Sequence, residues 1–157
     1  MAYNALRLKK GAEVHMKFAK IVFWIAAIWG MVVIAPLYFL YDTIGRQDPP
    51  PLTHPGFYYG FVGCALTWQF AFIVIARDPV RFRAMMIPSL FEKFSFAASQ
   101  TILYFHHRLH PSDLFLGGVD GLLGVLFFVA FLRTADETRP KPDLTGAHES
   151  ALISEIR

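Results

Sequence analysis

The chain has a single cysteine, Cys64. No disulfide can therefore close within it, and cysteine usage gives no reading of redox compartment. Charge is also scarce: 17% of residues are Asp, Glu, Lys or Arg, against about a quarter in a soluble domain. The small positive excess is spread over several loops rather than gathered into one patch, which excludes a nucleic-acid footprint. No glycine-rich phosphate loop, nucleophile elbow, cysteine pair or metalloprotease helix occurs anywhere, so the familiar sequence marks of nucleotide, acyl and zinc chemistry are missing. No segment repeats at a fixed period. A solenoid or tandem array is excluded with it.

What is present in excess is apolar and aromatic side chain, 55% and 16% of 157 residues. That composition belongs to a membrane protein. Crossing a ~30 Å hydrocarbon core takes roughly 20 helical residues, and four stretches supply them, at about 18–41, 56–76, 84–105 and 114–132. The first is too long for the apolar core of a signal peptide and reads as a permanent span. The expected fold class is an all-α membrane protein, a four-transmembrane-helix bundle. It is flanked by an N-terminal segment, 1–17, and a polar tail, 133–157, whose prolines and charges point to disorder on its own.

Basic residues are sorted by loop. Arg7, Lys9, Lys10, Lys17 and Lys20 precede or open the first span, Arg77, Arg81 and Arg83 fill the connector 77–83, and Arg133, Arg139, Lys141 and Arg157 lie in the tail, twelve of the fifteen. The remaining connectors hold Arg46 and Arg108 alone. The positive-inside bias then puts both termini in the cytoplasm, an N-in/C-in topology with 42–55 and 106–113 outside. Tyr38, Tyr41, Tyr58, Tyr59 and Tyr104 fall at the outer span ends, the amphipathic boundary that tyrosine favours. With Pro49, Pro50, Pro51 and Pro55, the first outer connector is expected to be an extended strap rather than a helix. In the second, Pro111 is expected to stop the third helix and Ser112 to cap the fourth.

Ionisable residues inside a span are costly and should face the bundle interior. Third-span "PSLFEKFSF" puts Glu92 and Lys93 near mid-bilayer, with Pro88 one turn earlier as a candidate bend. Steps of seven residues line up Glu92, Ser99 and His106 on one stripe and Lys93, Gln100 and His107 on the next. In the fourth span, "LFLGGVDGLLGV" sets Asp120 on a strip of Gly117, Gly121 and Gly124 suited to close helix contact, and Gly56, Gly60, Cys64 and Thr67 form a similar strip in the second. Counting rise from the helix ends, Gln100 and Asp120 could meet, while Lys93 would need its full reach; in the glue alternative Glu92 or Lys93 pairs with Asp120. The polar-pocket candidates are thus Glu92, Lys93, Ser99, Gln100 and Asp120, either as ligands for a lipid-like head group or as interhelical glue.

His106, His107 and His110 form a weak metal candidate at a helix end, without a second ordered pair. All six histidines lie at span ends or outside, which argues against a haem in the bundle core. A bound lipid, quinone or surface pigment remains an open cofactor assignment. An enzyme here would have to work with intramembrane carboxylates alone.

Residues 56–132, with "DPVRFRAMMIPSLFEK" and "GGVDGLLGVLFFVAF", resemble small four-helix bacterial membrane proteins of the DoxX-like type. The resemblance implies the four-helix fold and a bacterial cytoplasmic (inner) membrane more than an activity. Two functions follow as expectations. The first is a non-catalytic subunit or assembly partner of a larger, energy-transducing membrane complex, contacting lipids and other membrane subunits. The second is a stand-alone binder or enzyme for a lipid, quinone or sterol-like ligand, using Glu92 and Asp120.

Overall fold

The computed structural model describes residues 2–47 and 51–135. Among these the chain is all-helical: α1 (Ala2–Ile34), α2 (Leu37–Gln47), α3 (Pro55–Arg77), α4 (Met86–Phe105), preceded by a 3₁₀ turn at Arg83–Met85, and α5 (Leu114–Arg133). Three helices are long and apolar enough to cross a membrane, at Glu13–Ile34, Pro55–Arg77 and Leu114–Arg133. The third expected span, α4, is 20 residues long but is not among them, because Glu92, Lys93, Gln100 and four serines or threonines dilute its apolar character. Large apolar side chains stand outward all round the molecule, Phe39, Phe57, Phe91 and Phe105 each more than 70% exposed. A surface of that kind suits hydrocarbon better than water.

The first expected span, 18–41, is not continuous. Pro36 has no N–H and its ring crowds the carbonyl four residues back, so α1 ends at Ile34 and a turn carries Ala35 N–H to the Met31 carbonyl at 3.0 Å and Phe39 N–H to the Pro36 carbonyl at 2.9 Å. The chain then re-enters helix as α2, which takes in Asp42–Gln47 and corrects the extended strap expected there. The prolines that argued for a strap all lie after its end, and Pro55 opens α3 at its first position, where a missing N–H costs nothing. Tyrosines clamp the junction: Tyr58 Oη donates to the Leu37 carbonyl at 2.8 Å and Tyr41 Oη to the Leu52 carbonyl at 2.6 Å. The Tyr41 ring packs on Tyr58 and Tyr59 at 5.1 and 5.6 Å.

The second turn also departs from expectation. Helix α4 ends at Phe105, well before Pro111. His107 adopts φ 54, the left-handed region that histidine tolerates better than most residues. Arg108 N–H then reaches the Leu103 carbonyl and His107 N–H the Tyr104 carbonyl, both at 2.9 Å, the Schellman closure of a helix. The N-cap of α5 is Asp113 rather than Ser112, without a side-chain cap bond. Pro88 lies in the first turn of α4, where no helical N–H partner is lost and no bend is forced.

Helices α4 and α5 pack closely, as do α1 and α3; α5 also packs on α1, whereas α3 meets α4 only sparsely. The core is a trio of fully buried phenylalanines, Phe23 stacked on Phe127 at 4.0 Å and Phe72 edge-on to Phe127 at 5.1 Å. Buried alanines, Ala19, Ala26, Ala27, Ala76 and Ala130, let the backbones approach around it. This core occupies the half of the bundle next to the 3₁₀ turn. There Arg83 donates through Nε and Nη2 to the Phe131 carbonyl at 3.3 Å and lies 3.9 Å over the Phe131 ring, tying α4 to the end of α5.

The α4–α5 contact depends on absent side chains. A Cβ on Gly117 would come within 2.8 Å of the Gln100 Cβ and one on Gly124 within 2.9 Å of the Phe94 ring, while Gly118 faces open space. Gly117→Ala should therefore destabilise by ~1–3 kcal/mol through overpacking. Gly118→Ala should be neutral or gain up to ~1 kcal/mol of helix propensity. Thermal unfolding of the two variants in one mild detergent checks the contrast.

Candidate functional site

Glu92 and Lys93 are consecutive on α4 and so about 100° apart around its axis. Lys93 turns inward and is 3% exposed, whereas Glu92 is half-buried on the side toward α3. The close approach of α5, permitted by Gly117 and Gly124, sets Asp120 opposite Lys93: Nζ donates to Oδ1 at 3.0 Å and to Oδ2 at 3.1 Å. Lys93 Nζ also lies 3.4 Å from Glu92 Oε1 and 5.2 Å from the centre of the Phe72 ring. Of the groups that could meet Asp120, it is Lys93 that does. Lysine's four-carbon stem runs along apolar surface and carries the charge further than helix rise alone suggests.

The two carboxylates are used unequally. Both oxygens of Asp120 accept from Lys93, whereas Glu92 Oε2 lies 3.3 Å from the ammonium without a hydrogen bond and is shielded from solvent. Counting the three groups as ionised, the cluster has a formal charge of −1.

Two cavities reach it. One, of about 140 Å³, is enclosed by α1, α3, α4 and α5, with Glu92, Lys93 and Asp120 meeting apolar walls from Trp29, Phe61, Phe96 and Leu116. The other, of about 290 Å³, is a groove between α3 and α4, lined by Phe61, Cys64 and Trp68 on one side and Glu92, Ser95 and Ser99 on the other. The sparse α3–α4 contact leaves room for this groove. Ser99 therefore shares a cavity with Glu92, as their seven-residue spacing predicts, while Gln100 turns to α5 and packs its Cβ on Gly117.

Other candidates lie apart from this centre. Gly56 and Gly60 face open space rather than another helix of the chain. Gly121 makes an ordinary contact with Ala97 at 3.6 Å. His106, His107 and His110 are exposed in the turn after α4, where His110 Nδ1 lies 2.8 Å from Ser112 Oγ. Among the described residues no three His, Cys, Asp or Glu side chains converge as a metal site would require.

Sequence reasoning missed the contact that closes α1 on α3. Gln69 is fully buried, its Nε2 donating to the Ala65 carbonyl at 2.9 Å, and its Oε1 occupies the place a Gly30 side chain would fill. A lone amide in one span and a lone glycine deep in another were the available signal. The aromatic walls, Trp29, Phe61 and Phe96, carry no signal in a chain so rich in aromatics.

A buried pair that loses one partner leaves an uncompensated charge. Lys93→Met and Asp120→Leu should each cost about 3–5 kcal/mol, and the double variant should recover most of that. Unfolding midpoints of the singles and the double, compared as a double-mutant cycle, measure it.

Comparison with known proteins finds no family model, no curated protein and no solved structure that matches this chain.

Proposed function

We propose that this chain is a four-span membrane protein, N-in and C-in, that binds a lipid-like ligand through Glu92. Helix α4 is the fourth span in this reading. Its charges can lie at membrane depth because Lys93 is answered by Asp120 and Glu92 within the bundle, which is how intramembrane ionisable groups are tolerated. The basic residues of 77–83 and the tyrosines around α2 and the start of α3 fall at opposite ends of the helices, in keeping with the positive-inside bias. The DoxX-like resemblance enters only through the four-helix layout.

One observation carries the ligand reading: Glu92, whose Oε2 is buried without a hydrogen bond, lines both cavities. A buried acceptor left unpaired costs about 1–3 kcal/mol, and a ligand donor would recover it. The cavity walls are apolar and the polar groups few, the usual make-up of a small-molecule site. Asp120 orients Lys93 and is the supporting acid, while Glu92 is the one that meets the ligand. An accessory-subunit reading is favoured by Gly56 and Gly60, whose smooth face on α3 could seat a helix of another chain.

Purification in lipid nanodiscs followed by native mass analysis separates the two. The expected result is a small particle carrying one bound lipid-like molecule, lost in Glu92→Gln with the unfolding midpoint lowered by no more than a few degrees. Stoichiometric co-purification of larger subunits would instead establish the accessory role. Topology is checked with Cys64→Ala carrying a new cysteine at Arg46 or at Arg81: a membrane-impermeant maleimide added to intact cells should label the first and not the second.

A further inference from the structure

The two cavities that meet at Glu92 differ in size, and the difference indicates which part of a ligand each takes. This step rests on the binding reading given above. The enclosed cavity, about 140 Å³, is of the size that holds a benzene-sized group and falls short of the ~300–1,000 Å³ of ordinary ligand pockets. The α3–α4 groove, about 290 Å³, lies against it. Phe61, Ala65, Glu92 and Phe96 line both. Joined, the two fall within that range.

The groove's walls differ in chemistry. Its α3 wall is Phe61, Cys64 and Trp68, while α4 presents Glu92, Ser95 and Ser99. Ser95 Oγ donates to the Glu92 carbonyl at 3.1 Å and Ser99 Oγ to the Ser95 carbonyl at 2.8 Å. With their protons committed to the backbone, both hydroxyls offer only lone pairs to the groove. Glu92 is an acceptor as well. Lys93 adds no free donor, since its short contacts go to both oxygens of Asp120 and its third to Glu92 itself. The polar lane therefore accepts hydrogen bonds and donates none along ~10 Å of helix rise from Glu92 to Ser99, beside a cluster of formal charge −1. A carboxylate or phosphate head would meet like charge and, from α4, no donor; the indole N–H of Trp68 lies on the opposite wall. An ammonium head would meet three acceptors and a complementary charge.

We propose that groove and cavity form one site for a single-chain cationic amphiphile, a long-chain alkylammonium. Its head donates to Glu92 Oε2, and its hydrocarbon chain lies in the groove against Phe61, Cys64 and Trp68. The α3–α4 groove is then a tail subsite that opens laterally toward the lipid, so the ligand arrives from the bilayer rather than from water.

Dodecylamine, dodecanol and dodecanoic acid, each titrated into the full chain in phosphatidylcholine nanodiscs, test the assignment. Affinities are expressed per mole fraction in the bilayer so that simple partitioning cancels. Dodecylamine should bind at least ~10-fold tighter than either of the others, a difference of about 1.4 kcal/mol. Glu92→Gln should abolish that preference. Ser99→Phe, which fills the groove at an exposed position, should weaken dodecylamine at least ~10-fold with the unfolding midpoint unchanged. Equal binding of the three probes, tighter binding of the acid, or full affinity in Ser99→Phe overturns the proposal. If the co-purified molecule is still lost in Glu92→Gln while dodecylamine shows no preference, the binding reading stands and the alkylammonium assignment falls. If the co-purified molecule is kept in Glu92→Gln, the binding reading falls too.

Discussion

A lysine ammonium held between two carboxylates in an apolar bundle sets the terms for most of the structure. Lys93 can be buried only because Asp120 meets it squarely with both oxygens, and Asp120 can do so only because α5 lies close enough for Gln100 and Phe94 to rest against glycine backbone. The ion pair, the glycine face and the close α4–α5 packing are one constraint seen from three sides. Removing the side chains from Gly117 and Gly124 is what makes a short, saturated contact geometrically available, and the contact in turn offsets the desolvation of the charges. Glu92, next in sequence but turned away by a helical step, meets the ammonium through Oε1 at 3.4 Å and leaves Oε2 without a hydrogen bond.

The second organising fact is an uneven distribution of packing. Apart from Val62 and Gln69, the large fully buried side chains among the described residues lie toward the 3₁₀ turn, where the phenylalanine trio, Met86 and the Arg83–Phe131 contact fill the space between helices. The opposite half is held mainly by tyrosine contacts at the α2–α3 junction and by Gln69 on Gly30. Cavities persist there because α3 and α4 are each committed to a different neighbour, α1 and α5, and meet one another only sparsely.

Much of the architecture was legible because lipid imposes simple rules. A run of some twenty apolar residues must be helical when no water can satisfy its backbone, and α1, α3 and α5 follow. The involvement of Glu92, Lys93 and Asp120 in one cluster also followed, since buried charges must find each other. What escaped depended on angles and side-chain reach. Axial counting left Gln100 and Lys93 both open as partners of Asp120, because depth along a helix does not say how far a lysine stem bends across it. Proline counting turned Asp42–Gln47 into a strap, although those prolines act on residues after the helix rather than within it. The Schellman closure at His107 was hidden because a histidine in the left-handed region leaves no mark as plain as a glycine. The groove itself is a property of two helices failing to touch, which no single segment of sequence encodes.

The tie between Arg83 and the Phe131 carbonyl has a mechanical consequence. It pins the start of α4 to the end of α5, while the α3–α4 groove lies farther along α4. Ser99 lies sixteen residues beyond Arg83, or roughly 24 Å along the helix axis. A tilt of α4 by about 5° about that tie would move Ser99 by ~2 Å over that lever arm. A small change of angle at the tie is therefore magnified at the depth of the groove.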